Sequence, residues 1–201
     1  MVLTQNEQKV ISYLFHHYRE QLSINGLAKK TNITPKGTHK ILLKLQQDGL
    51  VIKKTIANAN IYLLNFQNEK TQDIVQYVLK STLSPNSYVK VLQKDLEPLY
   101  KVTNAVILFG STLHKGMQAQ DIDLLIILNK NKLSLIQSTI KEIKKIIPKK
   151  IHPIFQTTQD IQQNIQKQDP VLLNALQKNF ILKGHNLIYS IIKHDASRKE
   201  N

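Results

Sequence analysis

The chain of 201 residues contains no cysteine, which excludes a disulfide scaffold and any thiolate-ligated metal. Its apolar runs all fall short of the about 20 residues that a membrane-spanning helix needs. Residues 1–4 lead directly into a polar helix start, without the basic and then apolar pattern of a secretory signal. These absences make the cytoplasm the expected location. No internal repeat is visible. Seven histidines are present, yet they do not cluster: His16 and His17 fall in one helical stretch, His39 in another and His185 in a turn. Surface or packing roles are expected for them. No Ser-His-Asp arrangement surrounds Ser111.

Acid is the scarce charge. There are 14 Asp and Glu against 28 Lys and Arg, a formal net charge of +14. The excess is carried by the two ends: residues 1–65 hold nine basic and three acidic side chains, and residues 104–201 hold fourteen and seven, whereas the middle is nearly neutral. Such a basic excess points to a polyanionic partner. A hydrophobic fraction of 41% and a charged fraction of 21% are those of an ordinary globular protein, and the length allows one large or two small domains.

The organising stretch is residues 106–128. Val106-Ile107-Leu108-Phe109 runs into Gly110-Ser111, and ten residues later Asp121-Ile122-Asp123 opens a second apolar run. Short runs rich in Ile, Val and Leu read as buried strands. Side chains alternate along a strand, so Asp121 and Asp123 project from one face with Ile122 behind them. Two close carboxylates repel each other, and burial raises their pKa values. A shared hard cation relieves that repulsion, and Mg²⁺ takes one or two carboxylates together with phosphate oxygens. Gly110 lets the backbone approach a phosphate closely, and Ser111 offers a hydroxyl beside it.

The amino-terminal part reads as three helices and a hairpin. Thr4 and Glu7 fit a capping box for a helix over residues 5–19, with Val10, Ile11, Leu14, Phe15 and Tyr18 at helical spacing. Leu22-Ser23 suits a short strand, and Ser23 caps a second helix over 24–30. After a tight turn at Asn32-Ile33, Thr34 caps a third helix that begins at Pro35 and stops before Gly49. Strand-type runs at 50–56 and 61–64 flank the turn Ala57-Asn58-Ala59-Asn60. On the third helix Thr38, Ile41, Leu42 and Leu45 form the inner arc; Lys36, Lys40, Lys44 and Gln47 form a basic outer stripe, with Leu43 beside it.

Residues 66–103 read as a helical connector, with helices over 72–80 and 88–100 separated by Ser84-Pro85-Asn86. A homodimer through these helices is one option. Beyond residue 128, a helix over 133–147 ends before Pro148. A strand over 150–157 follows, and its Pro153 suits a sheet edge. Helices are expected over 158–167 and 170–179, and Lys183-Gly184-His185 turns between two apolar runs. The polar end, residues 195–201, reads as a flexible tail. Strands separated by helices imply an α/β domain. The expected class is thus α+β or α/β, with units at 1–65, 66–103 and 104–194.

Two resemblances follow from these residues. Residues 4–65 resemble winged helix-turn-helix transcriptional regulators, through the order of elements more than through invariant residues. The resemblance implies binding of double-stranded DNA by Lys36, Thr38, His39, Lys40 and Lys44 of the third helix, with Lys53 and Lys54 near the wing. Gly110-Ser111 followed by Asp121-Ile122-Asp123-Leu124 resembles the signature of the polymerase-beta-like nucleotidyltransferases, in particular the minimal ones, over about residues 104–189. That resemblance implies a mixed sheet with flanking helices. It also implies Mg²⁺ held by Asp121 and Asp123, and ATP or another nucleoside triphosphate held by Gly110 and Ser111. The product would be a nucleoside monophosphate transferred to an acceptor, a protein among the candidates. The chain departs from the pattern at Leu113, His114 and Gln120, in a short stretch from Gly116 to Asp121, and in the third carboxylate, where only His152 stands at the matching strand position. That last departure separates two readings. One is a DNA-binding nucleotidyltransferase; the other is a regulator whose degenerate domain senses nucleotide without catalysis.

Overall fold

A computed structural model describes residues 2–56 and 58–198, so Ala57 of the expected hairpin turn and residues 199–201 of the expected tail lie outside the described residues. The protein is a mixed α and β structure with two small sheets. Two compact units are present, one within Met1–Ser81 and Ile192–Asn201, the other within Thr82–Ile191. The division between Ser81 and Thr82 splits the stretch 66–103 that reads as a single connector in the sequence. Among the described residues no helix is long and apolar enough to cross a membrane.

In the first unit, α1 (Gln5–His16) starts at a closed capping box: the Thr4 hydroxyl accepts from the Glu7 amide, and the Glu7 carboxylate accepts from the Thr4 N–H at 2.7 Å. The helix ends before residue 19 because the chain turns there. Tyr18 and Arg19 leave the helix and both bond Asp195, Tyr18 through its hydroxyl at 2.8 Å and Arg19 through Nη2 at 2.7 Å. Helices α2 (Ile24–Thr31) and α3 (Pro35–Gln47) are joined through Asn32, which holds a left-handed φ of 56°. Leu22-Ser23 is not a strand; Leu22 contributes one carbonyl to the Tyr62 N–H. Strands β1 (Val51–Ile56) and β2 (Ala59–Leu64) pair antiparallel, and α4 (Glu69–Ser81) packs on α1. Val10, Phe15, Leu27, Leu42, Leu45 and Leu50 form the fully buried centre of this unit.

In the second unit the expected helix over 88–100 is two helices, α5 (Ser87–Asp95) and α6 (Glu97–Val102). The break at Leu96 coincides with Pro98 in the first turn of α6, which cannot donate a backbone hydrogen bond back to α5. Strand β3 (Ala105–Phe109) leads to a four-residue helix α7 (Thr112–Lys115) and a 3₁₀ turn (Gly116–Gln118). Then come β4 (Asp121–Ile127), α8 (Leu133–Ile146), β5 (Lys150–Gln156), α9 (Thr158–Gln166), α10 (Pro170–Gln177) and β6 (Asn179–Lys183). The last helix, α11 (His185–Arg198), begins in the second unit, and its residues from Ile192 on belong to the first. Asp195, assigned from its polarity to a flexible tail, is helical and buried, because Tyr18 and Arg19 satisfy its carboxylate.

The four strands run in the order β5-β4-β3-β6, with β4 and β5 parallel and the other two pairs antiparallel. The sheet is therefore mixed. Central β3 is buried along its whole length, which is why residues 105–109 carry no polar side chain. One face is covered through Val106, Leu108, Ile122, Leu124 and Ile126, which pack with Leu92, Leu99, Ile136 and Ile140 of α5, α6 and α8. Pro153 lies on an edge strand, where its missing N–H costs no ladder bond.

Candidate functional site

On the sheet face opposite that helical layer, Asp121, Asp123 and His152 come together. Asp123 on β4 stands in register with His152 on parallel β5, so both side chains leave the same face. His152 Nδ1 lies 3.2 Å from Asp121 Oδ2 and 3.7 Å from Asp123 Oδ1. All three side chains are partly exposed, and one ligating atom from each fits within 4.8 Å of the others. Burial holds the Asp123 carboxyl above its ordinary value, and the neighbouring Asp121 charge adds to that rise; His152 pulls the other way. Two carboxylate oxygens suit a hard cation, and an imidazole nitrogen is an acceptable third donor for a divalent ion. The donor set therefore fits a divalent cation.

Gly110 closes the floor of this cluster. It follows β3 with φ +76°, a conformation that favours glycine, and a Cβ there would lie 2.1 Å from Asp123 Oδ2. The bare α-carbon is what lets the Asp123 carboxylate lie against the turn. Ser111 comes next, partly exposed, and among the described residues its hydroxyl makes no hydrogen bond. The loop beyond is braced at three points. The Thr112 hydroxyl donates to the Asp121 carbonyl at 2.9 Å. The Asn86 amide donates to the Thr112 and Leu113 carbonyls at 3.0 and 3.1 Å while its oxygen caps α5 through the Val89 N–H. The Lys149 ammonium binds the Met117 and Ala119 carbonyls.

Asn86 and Lys149 were not legible as parts of this site. In the sequence Asn86 marks only a helix start after Ser84-Pro85, and its second role spans 26 residues of chain. Leu113 is partly buried and His114 exposed on the same short helix. No protein-family model, curated protein or solved structure matches this chain.

The first unit presents the basic helix face. Lys36, His39, Lys40 and Gln47 of α3 are exposed, and Leu43 keeps 44% of its surface. One of the residues assigned to DNA, Thr38, needs correction, and another, Lys44, already has a partner within the chain. Thr38 is fully buried on the inner side of α3, as its place in the apolar arc requires, so it cannot reach a groove. Lys44 is half exposed, but its ammonium is bonded to the buried Glu7 carboxylate at 2.6 Å. Glu7 is pushed up by burial, but the bonds from Lys44 and Thr4 outweigh this and leave it below its ordinary value. On β1 the exposed Lys53 and half-buried Lys54 leave opposite faces of the strand.

Proposed function

We propose that the second unit is a nucleotidyltransferase-like domain that binds a nucleoside triphosphate with a divalent cation and transfers the nucleoside monophosphate to an acceptor hydroxyl. The observation that carries this reading is the convergence of Asp121, Asp123 and Gly110: two carboxylates on one strand face, one of them lying against a glycine turn that leads into a free serine hydroxyl. Asp121 and Asp123 would hold Mg²⁺, which when bound neutralises charge on the triphosphate. The Ser111 hydroxyl donates to a phosphate oxygen. His152 accepts the proton of the acceptor hydroxyl, whose oxygen forms the new bond to the α-phosphorus. The bond from that phosphorus to the bridging oxygen breaks, and pyrophosphate leaves with the electron pair.

The first unit is read as a winged helix that binds double-stranded DNA. Lys36 and Lys40 supply phosphate contacts on α3, with His39 beside them, and Lys53 and Lys54 contribute from the hairpin. A net positive charge carried largely by this part of the chain and by its carboxyl-terminal third supports a polyanionic partner.

One observation favours a second reading. The third side chain in the cluster is an imidazole, which brings no negative charge to balance Mg²⁺. In that reading the protein binds DNA and senses nucleotide without turning it over. Incubation of the full chain with α-labelled ATP, Mg²⁺ and candidate acceptors, itself included, separates the two. Label transfer by wild type, raised in His152→Asp, supports the transferase. Binding of ATP with no transfer by either protein supports the sensor.

A further inference from the structure

The face of the sheet that carries the Asp-His cluster also carries a cavity of about 150 Å³. The same two strands build both. On β4 the side chain after Asp123 on this face is Leu125, and on β5 those after His152 are Ile154 and Gln156, each in register with its neighbour. Leu125 and Ile154 form the floor, Leu172 and Ala175 of α10 form the wall, and Val171, 52% exposed, forms the rim. The floor begins two residues from the cluster, about 7 Å along the strands.

The cavity's chemistry is selective. Its volume is on the scale of voids that take up a small aromatic molecule, and it opens at the rim. Its polar lining includes two carboxamides, Gln156 and Asn164, bonded to each other at 2.9 Å through one N–H and one oxygen. Whichever way the two amides are turned, that bond leaves one amide NH2 group and one amide oxygen of the pair available to a ligand at the cavity wall. Asp169 also lines it, with an oxygen capping α10 through the Leu172 N–H at 2.8 Å, and its negative charge excludes a phosphate from this end. A neutral, planar ring with adjacent donor and acceptor atoms satisfies the apolar floor and the amide pair together.

The geometry points to this cavity as a nucleobase subsite. The base sits between Leu125, Ile154 and α10, its edge reads the Gln156–Asn164 pair, and the ribose leads back along β4 and β5 toward the carboxylates. The choice of ligand rests on the nucleotidyltransferase reading above.

The test uses the full chain with three probes: ATP with Mg²⁺, inorganic tripolyphosphate with Mg²⁺, and adenosine without metal. Calorimetry follows the first two, and methyl chemical shifts of Leu125 and Ile154 follow adenosine. Wild type should bind ATP at least about tenfold more tightly than tripolyphosphate, a difference of about 1.4 kcal/mol, and adenosine should move both methyl signals. Val171→Trp, at the exposed rim where the fold tolerates a large side chain, should remove the ATP advantage and the adenosine shifts while tripolyphosphate binding stays at the wild-type value. Gln156→Leu should weaken ATP and adenosine and leave tripolyphosphate unchanged. Equal affinity for ATP and tripolyphosphate, with silent methyl signals and no effect of Val171→Trp, would overturn the subsite and leave the transferase reading standing. Failure of both phosphate ligands to bind while adenosine still moves the methyl signals would do the reverse: the transferase reading fails and the ring site stands.

Discussion

Two carboxylates, one in each unit, are treated in opposite ways. Glu7 is buried, yet it receives the Thr4 N–H and the Lys44 ammonium, and its carboxyl sits below the ordinary value. Asp123 is less buried, but its nearest charged neighbour on the same strand is another aspartate, and its carboxyl sits above the ordinary value. The first region supplies its own cation; the second pairs two anions and offers only an imidazole beside them. A protein that buries acid for architecture completes the hydrogen bonds and the charge, because a half-satisfied buried charge is costly. A cluster left electrostatically incomplete and open to solvent is a candidate for completion by a ligand from outside.

The largest effect should come from Gly110→Ala. The new methyl would fall on the Asp123 carboxylate in a backbone conformation that disfavours any side chain. Cation affinity, read by calorimetry with Mn²⁺, should fall by at least about 100-fold, with a stability loss of about 1–3 kcal/mol from the strained φ. Retained affinity would mean that the carboxylate does not need the bare turn.

Charge reversal on the basic helix sharpens the other side of the comparison. Lys36→Glu with Lys40→Glu should lower DNA affinity by about 100-fold at moderate salt and flatten the log–log salt slope by roughly 0.9 for each phosphate that is no longer neutralised. Lys44 is left out of that pair on purpose, since its loss would unseat Glu7. An unchanged slope would remove α3 from the interface.

Lys44→Ala leaves Glu7 buried beside its cap with no cation, at a cost of about 1–2 kcal/mol by denaturant unfolding at neutral pH. Because the folded carboxyl lies below its unfolded value of about 4.3, its contribution is present above that pH and lost as pH falls through the folded value. The variant should therefore show a flatter acid limb than wild type. Asp123→Asn is the smallest and has the opposite sign. A folded carboxyl held above its unfolded value favours the native state only while protonated and opposes it at neutral pH. The metal-free variant should melt about 1–2 °C higher than wild type at pH 7, and a lower melting temperature would contradict the electrostatic account.

Local patterns were legible where a short-range rule governs them. Alternation put Asp121 and Asp123 on one face, Pro153 marked an edge strand, and the capping residues Thr4, Ser23 and Thr34 marked the starts of α1, α2 and α3. What escaped depends on pairs distant in the chain. Lys44 reads as a free basic side chain until α1 brings Glu7 to it across 37 residues, and Asp195 reads as tail until Arg19 meets it across 176. Asn86 reads as a helix cap alone, although the same amide holds the loop after Ser111. Periodicity carries no information about such partners.

The central claim is that the Asp121–Asp123 pair exists to hold a cation and, with it, a nucleoside triphosphate. Calorimetric titration of ATP into the full chain, with and without Mg²⁺ and with Asp121→Asn combined with Asp123→Asn, tests it most directly. The account predicts a binding isotherm that requires the cation and disappears in the double variant. An isotherm of equal strength in that variant, or one indifferent to the cation, would contradict it.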